Sequence, residues 1–359
     1  MTPLNGIERK IEHGQRLSAE DAELLFRPEV DLHVLGQWAN QVRRKKNGRV
    51  GWYNINAHLN PTNVCLYRCP LCAYSRDANE PGAYAMSLDE VVARGQEAAD
   101  AGASELHVVS GLDPQKGYAW YREIIATLHR QFPRIHIKAW TAAEIAWFSQ
   151  STGRTIEQVL RDMVEAGLGS LPGGGAEVFA PAVRAKIAPR KCDGDTWLAV
   201  HRAAHRLGLR SNATMLFGHL ESPADRVEHL LRLRQLQDET GGFQAFIPLA
   251  FHPASTGFER LRPVGSLLAL RTIAVARLAL DNFDHIKAYW ISLGVGVAQT
   301  ALCYGADDLD GTVRHEVIHH EAGSQAPQAL SVAELRRLIE ESGHEPVERD
   351  SLYRPRDPR

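Results

Sequence analysis

Residues 52–72 read WYNINAHLNPTNVCLYRCPLC, a β-rich run over 52–59 followed within a few residues by Cys65, Cys69 and Cys72. The chain has five cysteines in 359 residues, and three of them sit here, spaced four and then three apart. An odd number with three crowded together does not make a disulfide framework. Thiolates grouped in this way bind zinc or an iron–sulfur cluster. Structural zinc takes four ligands, usually as two distant pairs. Here there are three, and Cys192 and Cys303 stand alone. Three thiolates on a four-iron cube leave one iron open to an outside ligand, the arrangement a catalytic cluster requires.

Outward from this stretch the chain alternates. Further β-rich runs lie near 106–110, 135–140, 169–172, 210–217, 243–251 and 285–292, with an eighth near 305–309. Helical patterns separate them, among them VVARGQEAADAG, TIEQVLRDMVEAG, TWLAVHRAAHRLG and ADRVEHLLRLRQLQDETGG. Helix starts are signalled by a Ser or Thr three residues before an acid or Gln: Ser18/Asp21, Ser87/Glu90, Thr155/Gln158, Ser222/Asp225 and Ser331/Glu334. Strict β and α alternation predicts a parallel sheet, and this many repeats predict a (β/α) barrel, complete or partial, rather than an open dinucleotide-binding sheet. No G-x-G-x-x-G follows the first strand. The cysteine run then falls on a βα loop, where barrels carry their chemistry. We expect a helical extension over 1–48, a barrel core over 49–323, and a helix over 324–359 ending in a frayed tail, RDSLYRPRDPR.

Hydrophobic residues make up 44% and charged ones 23%, with net charge −2, so no global field favours nucleic acid or an anionic membrane. The basic stretches LLRLRQLQDE and VRRKKNGR lack aromatic interleaving and read as solvated faces. MTPLNGIERKIEHGQRLSAED lacks the apolar core of a signal peptide, and no run of about 18 apolar residues could span a bilayer. A cytoplasmic protein acting on a small molecule is expected.

The C-x3-C-x2-C spacing after NINAHLNPTNVC resembles the radical S-adenosylmethionine (SAM) superfamily. The residue before the last cysteine is commonly aromatic in that family, and here it is Leu71. SLPGGGAEVF (170–179), RSNATMLFGHLES (210–222), LRLRQLQDETGGFQAFIPLAFHP (231–253) and DDLDGTV (307–313) resemble its menaquinone futalosine-pathway branch, most closely the members that form aminodeoxyfutalosine. Cyclic dehypoxanthinyl futalosine synthases and F420-precursor synthases share much of this pattern. The resemblance implies a [4Fe-4S] cluster on Cys65, Cys69 and Cys72, with SAM on the open iron. One-electron cleavage of SAM gives a 5′-deoxyadenosyl radical, which adds to the enolpyruvyl double bond of 3-[(1-carboxyvinyl)oxy]benzoate. An aryl shift and loss of the carboxyl group complete the reaction, with SAM consumed. A flavodoxin or ferredoxin donor is implied.

The same resemblance places SAM contacts. Tyr74 corresponds to a SAM-contacting position, although a packing aromatic would also suit it. Ser110 and Gly111 stand where the superfamily's Gly-rich motif meets the methionyl amino group. The glycine run at 173–175, Gly174 included, lets backbone approach a ligand, and Glu177 with Arg184 could bind ribose hydroxyls and the methionyl carboxylate. The alternative is a tight turn with a solvated Glu. The substrate's two carboxylates need polar partners, for which Asn212, His219 and His252 lie at or beyond strand ends. Lys138 is a further candidate, or half of a surface pair.

A rival reading comes from His315-Glu316-Val317-Ile318-His319, a literal H-E-x-x-H of the kind that binds zinc on one helical face with the Glu as base. Glu340 or Glu341 could supply a third ligand. The surrounding DLDGTVRHEVIHHEAG also resembles the futalosine branch, where Glu316 and His320 are the corresponding residues. The G-x-G in SLGVGVA (292–298) lacks the third glycine of a phosphate loop and reads as a barrel-mouth turn.

Overall fold

The computed structural model describes residues 3–356. Strands β1 (Val50–Asn54), β2 (Asn56–Leu59), β3 (Glu105–Val108), β4 (His136–Ala139), β5 (Ser170–Leu171), β6 (Arg210–Phe217), β7 (Phe243–Ala250), β8 (His285–Ile286), β9 (Asp308–Gly311) and β10 (Glu345–Glu348) alternate with helices over most of the chain. Seven of them, β2 to β8, form one parallel sheet in sequence order, curled into a partial barrel with its helices outside. All five capping boxes named above form, and a sixth joins them: Thr141 caps the helix Ala142–Thr152 with Glu144. Gly153, Gly167 and Gly241 end their helices in the left-handed conformation that glycine adopts without a Cβ penalty.

The run 52–59 is two strands rather than one. The chain leaves one sheet at Ile55, so β1 pairs with β9 and β10 in a second, three-stranded sheet while β2 opens the barrel. Cross-sheet bonds decide the break: Val313 N donates to Asn56 Oδ1 at 2.8 Å, and Thr312 N donates to Asn54 O at 3.2 Å. Gly311 permits this approach, since a Cβ there would lie 2.1 Å from Asn54 Oδ1. The run 285–292 also shortens. After β8, Ala288 N bonds Asp308 O and the chain turns into the short helix Trp290–Leu293, whose Trp290 indole donates to Gly311 O at 2.9 Å. The eighth run belongs to the second sheet, which spans the seam between β8 and β2 through single bridges at Lys287–Asp308 and Ala57–Arg314.

The expected frayed tail is ordered structure as far as residue 356, and residues 357–359 lie outside the described residues. After the helix Val332–Glu341 the chain adds β10 beside β1, and Arg349 beyond it is fully buried with its Nε 2.7 Å from Asp308 Oδ2. Tyr353 stacks on His285 and donates to the same carboxylate at 2.6 Å. A fold-back of this kind outweighs the polar composition because its charges meet partners. At the other end, helices Ala19–Leu25 and Leu32–Asn47 pack on the barrel helix Ser266–Ala279, which is mostly apolar because protein packs on both sides of it, and Pro3–Glu12 packs on Leu32–Asn47.

Candidate active site

Beyond β2 the chain folds into a loop held on three sides. Cys65 N donates to Arg76 O and Leu66 N to Leu112 O, which ties the loop to itself and to the segment after β3. Leu71 N donates to Ile187 O, and Gly257 N donates to Pro70 O at 2.7 Å. Arg68, in a left-handed conformation at φ 40°, donates to Ser75 O and, at 2.8 Å, to Glu80. Gly111 packs face-on against this loop, since a Cβ there would meet Val64 O at 2.3 Å. The three cysteines are thereby presented to one cavity of roughly 290 Å³ at the C-terminal end of the barrel strands.

The walls are partly apolar, with Val109, Leu216, Ile247, Leu249 and Phe251 among them. On one side lie the glycines 173–175, whose carbonyls are held from behind by Thr214 Oγ1, the Trp197 indole and the Arg184 guanidinium. Glu177 turns into the cavity at φ 47° and accepts from Lys191 Nζ at 2.6 Å. Burial pushes the Glu177 carboxyl up, but Lys191 and then Arg184 hold it below its usual range. Burial likewise pulls Lys191 down, while Glu177 and the thiols of Cys69 and Cys72 together lift it well above the ordinary lysine value. Burial pushes the Cys69 thiol up to about 11, against the pull of Lys191. A thiolate at Cys69 thus calls for positive charge beside it, of the kind a bound metal would supply.

Among the described residues no three His, Cys, Asp or Glu side chains converge around a single ion. Sulfurs sharing one zinc at about 2.3 Å would be nearly in contact, whereas a cube offers each thiolate its own iron. The three thiols facing one cavity therefore fit a cluster. Asn212 Oδ1 and His58 Nε2, both lining the same cavity, are buried without a hydrogen-bond partner, which suits a second, polar occupant.

Cys65, Cys69, Cys72, Tyr74, Ser110, Gly111, Gly174, Glu177, Asn212 and His252 all border this cavity. Three of the residues read from the sequence stand elsewhere. Lys138 is buried against Glu105 at 2.6 Å, below the cavity, because its place within β4 points it into the barrel. Arg184 spends its donors on the carbonyls of Gly175, Ala176 and Cys192, supporting the glycine loop from outside. His219 is satisfied locally, its Nε2 3.0 Å from Leu216 O and its Nδ1 accepting from Leu220 N. Conversely His58, His107, Glu144, Lys191, Tyr289, Asp310 and His319 reach the cavity although the sequence reading assigns none of them to SAM or substrate. Glu144 could have been found from the Thr141 cap. Burial pushes its carboxyl up to about 7 against the hydrogen bonds from Thr141 and Ser110.

The H-E-x-x-H segment does not make a zinc face. His315 has φ 63° and points outward to Glu97 at 3.2 Å, while the helix begins only at Ile318 and His319 faces the cavity. Glu316 instead caps that short helix through His319 N at 2.9 Å and pairs with His320 at 3.1 Å.

A partial (β/α) barrel presenting a three-cysteine loop to its own cavity defines the radical SAM class of protein. Residues 59–233 match the radical SAM superfamily, and residues 240–359 match the CofH/MqnC C-terminal region. The chain is 46% identical to the aminodeoxyfutalosine synthase of Thermus thermophilus, covering 97% of this chain and 94% of that one. It is 40% identical to the enzyme of the same name from Streptomyces coelicolor, over 97% and 92%. The crystal structure of methylornithine synthase superposes with a TM-score of 0.76 over 95% of this chain and 97% of that one, at 18% identity, a likeness of fold. The chain belongs to the radical SAM superfamily, in the family of the aminodeoxyfutalosine synthases, and is an enzyme of that type.

Proposed function

We propose that this enzyme joins the adenosyl carbon of SAM to the enolpyruvyl double bond of 3-[(1-carboxyvinyl)oxy]benzoate, giving 6-amino-6-deoxyfutalosine after an aryl shift and loss of the carboxyl group. The observation that carries the reading is a cavity shared by three thiols, a glycine loop and unpartnered polar groups, in a chain similar end to end to aminodeoxyfutalosine synthases.

Cys65, Cys69 and Cys72 would hold a four-iron cluster, which when bound supplies the single electron that cleaves SAM. The protein's own part is binding and shielding, because a radical adding to an alkene needs no strong base. Tyr74, Ser110, Gly111, Gly174 and Glu177 border the side of the cavity proposed for SAM, with Lys191 holding Glu177 ionised. Leu216, Ile247, Leu249 and Phe251 limit water around the reacting carbons. Asn212 and His252 are proposed partners for the carboxylates. A flavodoxin or ferredoxin is the proposed electron source, and the cytoplasm the proposed location; no helix among the described residues is long and apolar enough to cross a membrane.

The test is anaerobic incubation with reductant, SAM and the enolpyruvyl benzoate, read by mass spectrometry. A covalent adenosyl adduct is expected. Free 5′-deoxyadenosine formed only with a futalosine substrate would assign the chain to the cyclase reaction instead.

A further inference from the structure

One wall of the cavity is a ladder of rings. His58 on β2 and His107 on β3 are register partners, so their side chains leave neighbouring strands side by side and stack with centroids 4.6 Å apart and planes 24° apart. His58 also lies parallel to Tyr289, at 6.5 Å and 8°. Tyr289 meets His319 edge-on at 5.4 Å, and His319 meets His252 at 5.9 Å. All five residues border the cavity.

His252 is anchored, its Nε2 2.9 Å from Ser292 O. The stacked pair is different. Neither imidazole makes a hydrogen bond among the described residues, and His58 Nε2 is buried with no partner at all. His58, a buried imidazole with an unused ring nitrogen, costs stability unless a ligand satisfies it, and the half-buried His107 opens onto the same cavity. Burial pushes both below the usual imidazole value, His107 to about 3, and an imidazole in its neutral form keeps one N–H to donate.

The surroundings narrow the ligand's chemistry. Lys191 is the one lysine bordering the cavity among the described residues, no arginine borders it, and Lys191 is engaged by Glu177. Lys138 and Lys287 lie buried nearby, paired with Glu105 at 2.6 Å and Asp310 at 2.9 Å. Two adjacent neutral donors beside aromatic rings suit the two oxygens of a carboxylate carried on a flat ring. Position separates the substrate's two carboxylates. Both histidines stand within strands, inside the barrel, whereas the cysteines stand on the loop beyond the strand ends. The carboxyl group that is lost sits on the carbon next to the CH2 under attack and lies toward the thiols, which leaves the retained ring carboxylate for the deeper pair.

We propose that His58 and His107 form an aryl-carboxylate subsite, each donating one N–H to the carboxylate on the substrate's benzoate ring. The inference rests on the reaction proposed above, and the experiment separates the two. Reconstituted enzyme and its His58→Phe and His107→Phe variants, which keep a flat ring in the stack, are titrated calorimetrically with 3-methoxybenzoate and with methoxybenzene. His58→Gln and His107→Gln serve as second variants, and iron content and melting temperature confirm folding. Loss of one donor to an ionised group is expected to weaken the benzoate roughly ten- to a hundredfold while leaving methoxybenzene binding unchanged. The KM for the enolpyruvyl benzoate rises in parallel, with kcat little altered. Equal benzoate affinity in folded variants and wild type overturns the subsite, as does an equal loss for both probes. Histidine-dependent benzoate binding in a wild type that forms no adenosyl adduct overturns the proposed reaction and leaves the subsite standing.

Discussion

The two ends of the barrel differ in what their buried groups face. Toward the N-terminal ends of the strands, buried charges are paired with opposite ones. Arg277 Nη2 lies 2.5 Å from Asp307, which also binds His285 at 2.6 Å; Arg349 and the Tyr353 hydroxyl converge on Asp308; and Lys138 pairs with Glu105. At the mouth, His58 and Asn212 are also buried and have unpartnered atoms, while burial pushes the Cys69 thiol up to about 11. The ion pairs named at the first end hold the structure together. The second end carries unpartnered groups that face a cavity and are open to a ligand, the pattern expected where stability is given up for binding.

Removing a thiol at the mouth tests this contrast most severely. A Cys69→Ala variant is expected to lose its iron and sulfide and all adenosyl transfer while melting near the cluster-free wild type, since the change deletes a ligand and no charge pair. Iron assay, visible absorbance and calorimetry report all three. At the base the reverse holds. Arg349→Met leaves Asp308 buried with the Tyr353 hydroxyl but without its cation, and losing one member of a buried pair costs about 3–5 kcal/mol, read in denaturant unfolding.

Gly111→Ala lies between the two. Its new Cβ would meet Val64 O 2.3 Å away, so the cysteine loop must shift. A stability loss of about 1–3 kcal/mol is expected, with reduced iron content in folded protein; unchanged iron would show that the loop yields without moving the thiols.

The smallest effect concerns the Glu316–His320 pair at the rim. The Glu316 hydrogen bond raises His320 to about 9 from 6.5, against burial. Burial pushes Glu316 up, but His320 and the neighbouring His319 hold it at about 2, below 4.5. A raised imidazole contributes stability that is whole below pH 6.5 and is lost as pH climbs through about 9. The depressed carboxyl contributes stability that is whole above pH 4.5 and is lost as pH falls through about 2. Melting temperature should therefore fall modestly from pH 6.5 to 9, and His320→Gln should flatten that slope.

Much of this was readable along the chain because it is local. A capping box needs two residues three apart, so Ser222 with Asp225 announces its helix unaided, and the strand over Arg210–Phe217 is written in its own residues. The cysteine loop is equally local, since one short loop delivers all three thiols. The zinc-like H-E-x-x-H shows how local reading errs, because spacing assumes a helix that the left-handed His315 denies. Lys138 and Arg184 show another limit: both are buried, and only packing shows that a carboxylate and backbone carbonyls already engage them.

The amino-acid sequence by itself determined the βα rhythm, the helix starts and the cysteine loop, because these depend on side chains a few residues apart. Tertiary structure alone decided that the run 52–59 divides between two sheets, that the polar tail is buried on Asp308, and that His58 and His107 stand together on the cavity wall. Each of those depends on partners from distant segments: strand register sets which side chains are neighbours, and burial sets which of them still lack a hydrogen bond.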